Sequence, residues 1–280
     1  MTNDNNIVTK TNDGYVVELF ANVKTDFKNE ILYTAEGISL LYLKTNLSEE
    51  EQFSIYKDIV EKMEYSPVII KVSNKKNELK VQIRALLRAG KYGDLSIVLS
   101  KIASVIDVLE IKEVIEECKC ELEKEELPYK KHMKIGVIVE IPSVALMAYS
   151  FAKECDFFFI ETDSLTKYTF GNKKENEKLP DLYLKFQPAL VKLIQQAIEG
   201  AHDAGIFCGI CGEIVENELN LPLLIGMGID ELSMDAEKVL NTRKRISELD
   251  KSDCKELAEE ILELRTLEDI ENKLKQFARN

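Results

Sequence analysis

A thiol and a carboxylate stand two residues apart in the stretch Ile206–Glu213, whose sequence is IFCGICGE. This short apolar run ends in glycine-containing residues, which predicts a buried strand followed by a tight turn. The strand delivers Cys211 and Glu213 to its carboxyl end. In an α/β barrel that end belongs to the active-site rim, so a thiol and an acid there could exchange protons with a bound substrate.

The same stretch contains a CxxC pair, formed by Cys208 and Cys211. This spacing can indicate a redox pair or half of a zinc site. Side chains three positions apart along a strand point to opposite faces, so we expect the two sulfur atoms to diverge. The sequence has no second CxxC and two histidines in all, which disfavours both interpretations.

Further polar and ionisable residues fall where predicted strands end or where the next loops begin. These candidates are Asn22, Lys44, Lys71, Glu140, Asp163, Lys174, Cys211, Glu213 and Ser233. Lysines can hold phosphate, a carboxylate can hold a divalent metal ion and a thiol can move a proton, so the set suits a phosphorylated, enolisable substrate. Any barrel with this charge content places ionisable groups on its rim, and that alternative stays open here.

The elements that must position these residues alternate along the whole chain. Short apolar runs predict eight strands, at 15–23, 38–43, 67–72, 95–99, 134–141, 156–162, 206–213 and 229–234. Helical segments separate them, and strict alternation implies parallel pairing, so eight repeats predict a closed (β/α)8 barrel of the α/β class. The alternative is an open doubly wound sheet. It is disfavoured because residues 22–25 do not form a glycine-rich phosphate loop.

The predicted domain organisation is simple. We expect a flexible N-terminus over residues 1–12 and a single barrel domain over 13–280, because the chain has no linker rich in Pro, Gly or Ser. A long polar loop is predicted over 167–181, and one or two extra charged helices over 252–280.

Composition narrows the class of protein. The 280 residues carry 37 basic and 50 acidic side chains, a formal net charge of −13, which disfavours nucleic acid and anionic membranes as partners. No apolar run approaches a membrane span and the first residues lack an apolar signal region, so a cytoplasmic location is expected. The six cysteines form no disulfide framework.

Several ordered motifs resemble a known family. They are AEG at 35–37, VEIPS at 139–143, DFFFI at 156–160, LTKYT at 165–169, Asn176-Glu177, CGE at 211–213 and LLIGMGIDELSM at 223–234. Together they look like the C-terminal, phosphoenolpyruvate-binding domain of enzyme I of the sugar phosphotransferase system, over roughly residues 12–275.

The resemblance implies a (β/α)8 barrel that is usually a homodimer and binds phosphoenolpyruvate through Mg²⁺ and several arginines. In the family, phosphate passes to a histidine on a separate N-terminal domain, and a barrel cysteine protonates the enolate carbon to give pyruvate. By position, Cys211 matches that acid, Glu140 matches one metal-binding carboxylate and Asn176 lies in the phosphate-binding loop. The first predicted strand starts near Tyr15, so we expect the N-terminal domains to be absent from this chain.

This chain departs from the family pattern at several contacts. After the sixth strand the family reads Gly-Thr-Asn-Asp-Leu, and here Ser164 replaces the second metal carboxylate, with Asp163 one position earlier. On an extended chain that shift turns the side chain to the other face, so Asp163 reaches Mg²⁺ only if the turn bends. Family arginines fall at Tyr42, Lys71 and Lys174, which lose the bidentate guanidinium fork. The segment after the third strand is also shortened.

Three functions follow as hypotheses. The first is a barrel that binds phosphoenolpyruvate or a related small oxyacid, with weakened or lost phosphoryl transfer, in which Lys71, Lys174, Asn176 and Glu213 contact the substrate and Glu140 and Asp163 the metal. The second is a catalytically inactive dimerisation or regulatory partner of a phosphotransferase system. The third is an active transferase that works with a separate phosphohistidine domain.

Overall fold

Eight short parallel strands close into a barrel in the computed structural model, which describes residues 8–23, 34–40, 47–64, 66–73, 75–171 and 186–279. The strands are β1 Glu18–Asn22, β2 Gly37–Leu40, β3 Val68–Lys71, β4 Leu95–Leu99, β5 Lys134–Val139, β6 Phe157–Glu161, β7 Phe207–Cys211 and β8 Glu231–Asp235. Each strand pairs in parallel with its sequence neighbour, and β8 pairs with β1, which confirms the predicted barrel and excludes an open sheet.

Helices surround this barrel in the described part of the chain. They are α1 Glu49–Lys62, α2 Lys76–Ala89, α3 Val105–Lys124, α4 Pro142–Leu146, α5 Ala148–Ala152, α6 Thr162–Phe170, α7 Pro188–Asp203, α8 Leu221–Met227, α9 Val239–Ser247, α10 Lys251–Leu262 and α11 Leu267–Phe277. The last two are the extra C-terminal helices that the charged segment predicted. Among the described helices, none combines the length and the apolar character that a membrane crossing requires.

Local sequence explains several helix boundaries. Ser48 begins α1 with a capping box: its side chain accepts the Glu51 N–H, and the Glu51 carboxylate accepts the Ser48 N–H. Ser104 and Asp107 form the same reciprocal pair at the start of α3. Pro142 opens the helical segment after β5, which is divided at Met147 into α4 and α5.

The polar loop predicted from Lys167 is wrong in its described part. Residues up to Phe170 continue α6, and residues 172–181 lie outside the described part of the chain. The helix forms because Leu165 is fully buried, while the hydroxyls of Thr166 and Thr169 donate back to carbonyls one turn earlier. Polar composition predicted a loop, but one buried leucine and these threonines fit a short helix.

Two separate apolar cores hold the barrel. The inner core fills the barrel itself with Phe20, Ile69, Val98, Ile138, Phe157, Phe159 and Cys211. The outer, larger core lies between the strands and the helices. Successive residues of one strand therefore alternate between the two cores, which decides what reaches the interior.

Candidate functional site at the barrel mouth

Cys211 ends β7 inside the barrel. Its side chain belongs to the inner core and is 2% exposed, while Cys208, three residues earlier, belongs to the outer core. The two sulfurs thus lie on opposite faces of the strand, as the period of two predicted. Both cysteines are free thiols.

A glycine fixes the backbone directly after the thiol. Gly212 has a φ of +120°, and a Cβ built on it would lie 2.1 Å from the Thr162 hydroxyl oxygen. That hydroxyl donates a 3.0 Å hydrogen bond to the Cys211 carbonyl. Because only glycine fits this conformation and this approach, the end of β7 is held tightly against the start of α6.

The environment of Cys211 keeps its sulfur protonated. Burial is the main reason that its pKa is raised well above the ordinary value, and the carboxylates of Glu161, Glu231 and Asp163 raise it further, while Lys71 acts in the opposite direction. A thiol of this kind holds its proton at neutral pH. Its chemistry is therefore proton donation rather than attack as a thiolate.

Glu140 follows β5 at the barrel mouth and is 3% exposed. One carboxylate oxygen accepts a short hydrogen bond from the Lys101 backbone N–H. Lys101 has a φ of +56°, an uncommon conformation for a residue other than glycine, and this hydrogen bond helps to hold it. A buried carboxylate is costly without a hydrogen-bond partner, and the backbone supplies one here.

Asp163 and Ser164 lie in the first turn of α6 rather than on an extended chain. The exchange of faces expected on an extended chain does not apply here, since neighbours on a helix differ by roughly 100°. The turn bends, as a metal role for Asp163 requires. One Asp163 oxygen lies 3.2 Å from the backbone nitrogen of Glu213, which donates to it.

Glu161 is a mouth residue that the sequence analysis did not single out. It ends β6, where Phe157 and Phe159 point into the barrel, so the alternation continues to Glu161. Its register partner is Cys211 on the adjacent strand. Its two carboxylate oxygens accept the N–H groups of Asp163 at 3.1 Å and Ser164 at 3.2 Å. The period of two in Phe-Phe-Phe-Ile-Glu was the signal that could have found it.

Register brings the two mouth glutamates side by side. Ile138 on β5 pairs with Phe159 on β6, and both belong to the inner core. Two residues further along each chain, the next inward positions are Glu140 and Glu161. Glu140, Glu161 and Cys211 therefore follow one another across three adjacent strand ends.

The remaining predicted contacts divide between described and undescribed parts of the chain. Lys71 ends β3 and is partly buried, while the Glu213 side chain is exposed. Lys44, Lys174 and Asn176 lie outside the described residues, as does Tyr42.

A buried polar triad completes the opposite side of the mouth. The Asn22 carboxamide oxygen accepts from the hydroxyls of Ser39 and Ser233, each at 2.7 Å, and the two hydroxyls lie 2.6 Å apart. The strand ends had indicated Asn22 and Ser233. These contacts connect β1, β2 and β8.

Carboxylate oxygens of the mouth have the chemistry that Mg²⁺ prefers, because this ion takes one or two carboxylates together with water and substrate oxygens. Glu140 and Asp163 fit that donor set. Within the described residues, no group of three or more His, Cys, Asp or Glu side chains gathers closely enough to form an all-protein metal site. A metal ion here therefore depends on oxygen atoms from a ligand or from water.

Comparison with known proteins identifies the same family as the sequence motifs. The model of a family described as "PEP-utilising enzyme, PEP-binding domain" matches residues 70–251. The chain is 34% identical over 301 residues to the phosphoenolpyruvate-protein phosphotransferase of Priestia megaterium, covering 94% of this chain and 52% of that protein. The corresponding protein of Mycoplasma capricolum is 33% identical over 98% of this chain and 54% of its own length.

The chain spans about half the length of these relatives. Solved structures agree on the fold alone. A citrate lyase from Burkholderia xenovorans has a TM-score of 0.61 at 12% identity, covering 94% of this chain and 91% of that one. Pyruvate kinase from Pyrobaculum aerophilum has a TM-score of 0.57 at 9% identity, covering 82% and 71%.

Proposed function

Because the chain belongs to the PEP-utilising enzyme family, as its PEP-binding domain, we propose that the barrel mouth binds phosphoenolpyruvate or a related small oxyacid, with weakened or lost phosphoryl transfer. The observation that carries this proposal is the protonated thiol of Cys211, which faces the barrel interior beside mouth carboxylates. A closed barrel that ends in a proton donor suits chemistry at the carbon of an enolate.

Cys211 is the proposed proton donor. When an enolate of pyruvate lies at the mouth, the S–H bond breaks and the proton passes to the terminal carbon, leaving pyruvate and a thiolate. Burial makes that thiolate unfavourable, so it regains a proton rapidly from solvent or in the reverse step. The reverse step removes a proton from the pyruvate methyl group.

Mg²⁺ is the proposed cofactor, with Glu140 and Asp163 as its protein ligands. When bound, the ion neutralises oxygens of the ligand. Both side chains have oxygens that accept backbone N–H groups, which fixes their orientation. Lys71 and Glu213 are proposed to contact the ligand, together with Lys174 and Asn176 outside the described residues.

Weakened phosphoryl transfer follows from the loss of guanidinium groups. Phosphoryl transfer depends on positioning and on electrostatic stabilisation of the phosphate. Each charge-assisted hydrogen bond contributes about 1.5–3 kcal/mol, so each loss weakens phosphate binding by roughly tenfold or more. The proton chemistry at Cys211 does not depend on those contacts and is expected to survive better.

The test is exchange of the pyruvate methyl protons in D₂O, followed by NMR with Mg²⁺ present. The wild-type chain is expected to catalyse exchange, and Cys211→Ala is expected to lower its rate by about 10²-fold or more, the range for removal of a general acid or base. Cys208→Ala is the matched control, because it removes a thiol from the same strand on the opposite face. Equal exchange by wild type and Cys211→Ala contradicts the proposal.

Titration calorimetry gives a second measurement. Phosphoenolpyruvate or pyruvate, titrated with Mg²⁺ to millimolar concentration, is expected to release or absorb heat, and Glu140→Ala is expected to weaken the binding. Absence of binding of both ligands to the wild-type chain contradicts the proposed function as a whole.

A second candidate function is a dimerisation or regulatory partner, and an exposed apolar patch favours it. Large apolar side chains are exposed on two segments: Ile106 and Leu109 on α3, and Leu146, Met147 and Tyr149 around α4 and α5. The Ser143 hydroxyl donates to the Ala103 carbonyl, which joins these two segments.

We propose that a second copy of the chain covers this patch, in a cytoplasmic homodimer. Sedimentation velocity of wild type and Met147→Asp tests the assignment. A dimer that the charge dissociates supports it, and a wild-type monomer at micromolar concentration contradicts it.

A further inference from the structure

Glu161 places a negative charge where the ligand of the barrel mouth must enter. It is the strand neighbour of Cys211 and follows the inward-pointing Phe157 and Phe159. After burial, it is the group that most strongly raises the pKa of the Cys211 thiol. The carboxylate therefore lies close to the atom that the proposed chemistry uses.

The Glu161 side chain also occupies the N-terminus of α6. Its two oxygens accept the N–H groups of Asp163 and Ser164, so both of these hydrogen-bond donors are already used within the chain. Free N–H groups at the start of a helix attract phosphates and carboxylates. An anionic ligand group at this point of the mouth must displace Glu161 or lie beside its charge.

The described charges around the thiol are mostly negative. Among the charges of the mouth, Glu161 and Asp163 act on Cys211 in one direction and Lys71 acts in the other. Glu140 adds a buried carboxylate one strand further along. Each additional negative charge on a ligand therefore meets more repulsion here than attraction, and like charges in contact discriminate strongly between ligands.

We infer that Glu161 determines specificity at this mouth: it disfavours phosphorylated ligands and directs the site toward singly charged 2-oxo monocarboxylates such as pyruvate. This inference rests on the proposed function, because it assumes that the mouth binds a small oxyacid. It adds the class of that ligand. Glu161 acts through charge and through its use of the α6 N–H groups, and it takes no part in the proton step.

The experiment compares pyruvate with phosphoenolpyruvate on wild type and Glu161→Gln, by calorimetry at 0.15 M salt with and without Mg²⁺. The amide keeps the shape of the side chain and one acceptor for the helix, and it removes the charge. The variant is expected to bind phosphoenolpyruvate at least tenfold more tightly than wild type, while its affinity for pyruvate changes less than threefold.

Glu218→Gln is the matched control, because it removes one exposed charge from the loop after β7 at a position away from the thiol. No gain for phosphoenolpyruvate is expected there. If Glu161→Gln does not fold, as judged by circular dichroism, Glu161→Ser supplies a neutral helix cap and the same comparison.

The outcomes separate the two proposals. A gain confined to phosphoenolpyruvate in the Glu161 variants supports the inference. Binding of phosphoenolpyruvate by wild type and variant with equal affinity overturns the inference and leaves the proposed function standing. Failure of both ligands to bind any form overturns the proposed function, and the inference with it.

Discussion

Glutamate side chains at the two ends of the barrel interior have opposite environments. At the mouth, the carboxylates of Glu140 and Glu161 accept backbone N–H groups from the loops and helix that follow their strands. At the base, Glu231 begins β8 with both oxygens fully buried and without a hydrogen-bond partner among the described residues. Burial, followed by repulsion from Glu18, raises the pKa of Glu231 well above its ordinary value.

This difference in hydrogen bonding shows where the barrel can hold a charged carboxylate. Loops after the strands present N–H groups at the mouth, whereas backbone groups at the base are used within the barrel pairing. Glu231 fills the space beside Gly209, its partner on β7, where a side chain would meet it. Burial at the base therefore favours the neutral carboxylic acid form of Glu231, and the mouth keeps its carboxylates in polar contacts.

The largest expected effect is the pH dependence that Glu231 gives to stability. Its pKa is near 4.5 in the unfolded chain and well above that when folded, so the stabilising contribution of its proton is present below pH 4.5 and is lost as pH rises toward the folded pKa. Within that window the loss is about 1.4 kcal/mol per pH unit. Glu231→Gln is expected to remove this slope, as measured by urea unfolding at pH 5, 6.5 and 8.

Asp235→Asn is the control for that measurement, because Asp235 is exposed at the other end of the same strand. Its unfolding free energies should keep the wild-type slope. If Glu231→Gln and wild type run parallel from pH 5 to pH 8, the base acid is not neutral and the contrast with the mouth disappears.

The next effect concerns the space that Gly209 leaves for Glu231. A Cβ at this position would lie 2.2 Å from a Glu231 oxygen and 3.2 Å from the Phe159 ring. Gly209→Ala is expected to destabilise the fold by about 1–3 kcal/mol through overpacking. In a Glu231→Ala background the cost should be clearly smaller, and additive costs in this double-mutant cycle would refute the packing of acid against glycine.

A smaller effect is expected at the mouth, where polar groups are satisfied. Ser233→Ala removes the hydroxyl that donates to the Asn22 carboxamide oxygen and lies 2.6 Å from the Ser39 hydroxyl. Ser39 still donates to Asn22, so the expected loss is about 1 kcal/mol, without a pH slope. Chemical denaturation at pH 5 and pH 8 checks both points, and a loss that depends on pH would contradict the assignment of this cluster as neutral.

The smallest effect is expected outside the base of the barrel, at the exposed pair of His202 and Asp230. Their side chains lie 2.9 Å apart, and this hydrogen bond raises the pKa of His202. The contribution is therefore present below the unfolded pKa of 6.5 and lost as pH rises through the folded pKa. His202→Asn should lower the free energy of unfolding at pH 5.5 by about 0.2–1 kcal/mol and change it less at pH 8.5. Equal losses of unfolding free energy at both pH values would contradict an ionic contribution from the His202–Asp230 pair.

The sequence alone predicted the fold and one half of the site. Alternating apolar runs gave the barrel, because strands buried on both faces read as continuous hydrophobic segments. The period of two placed Cys208 and Cys211 on opposite faces of their strand, and its position at a strand end indicated Glu140 as a residue of the rim. The motifs identified the family, because their order along the chain is specific to it.

Glu161 and Asp163 show where that reasoning stopped. Whether residues 162–164 continue the strand or begin a helix decides which way Asp163 points, and polar composition predicted a loop further along instead. The helix exists because Leu165 is fully buried and because Glu161 caps it, and the burial requires the assembled barrel. The direction in which Asp163 points, one position before Ser164, therefore could not be assigned without the tertiary structure.

Chain chemistry by itself determined that eight strands and their helices must close around an apolar interior with a thiol at one strand end. Only the three-dimensional packing decided which acids have partners. The hydrogen bond from the Lys101 N–H to Glu140 joins residues far apart in the chain, and no described residue makes such a bond to Glu231. Periodicity is a local property of the sequence. Solvation of a buried charge depends on every neighbour in space.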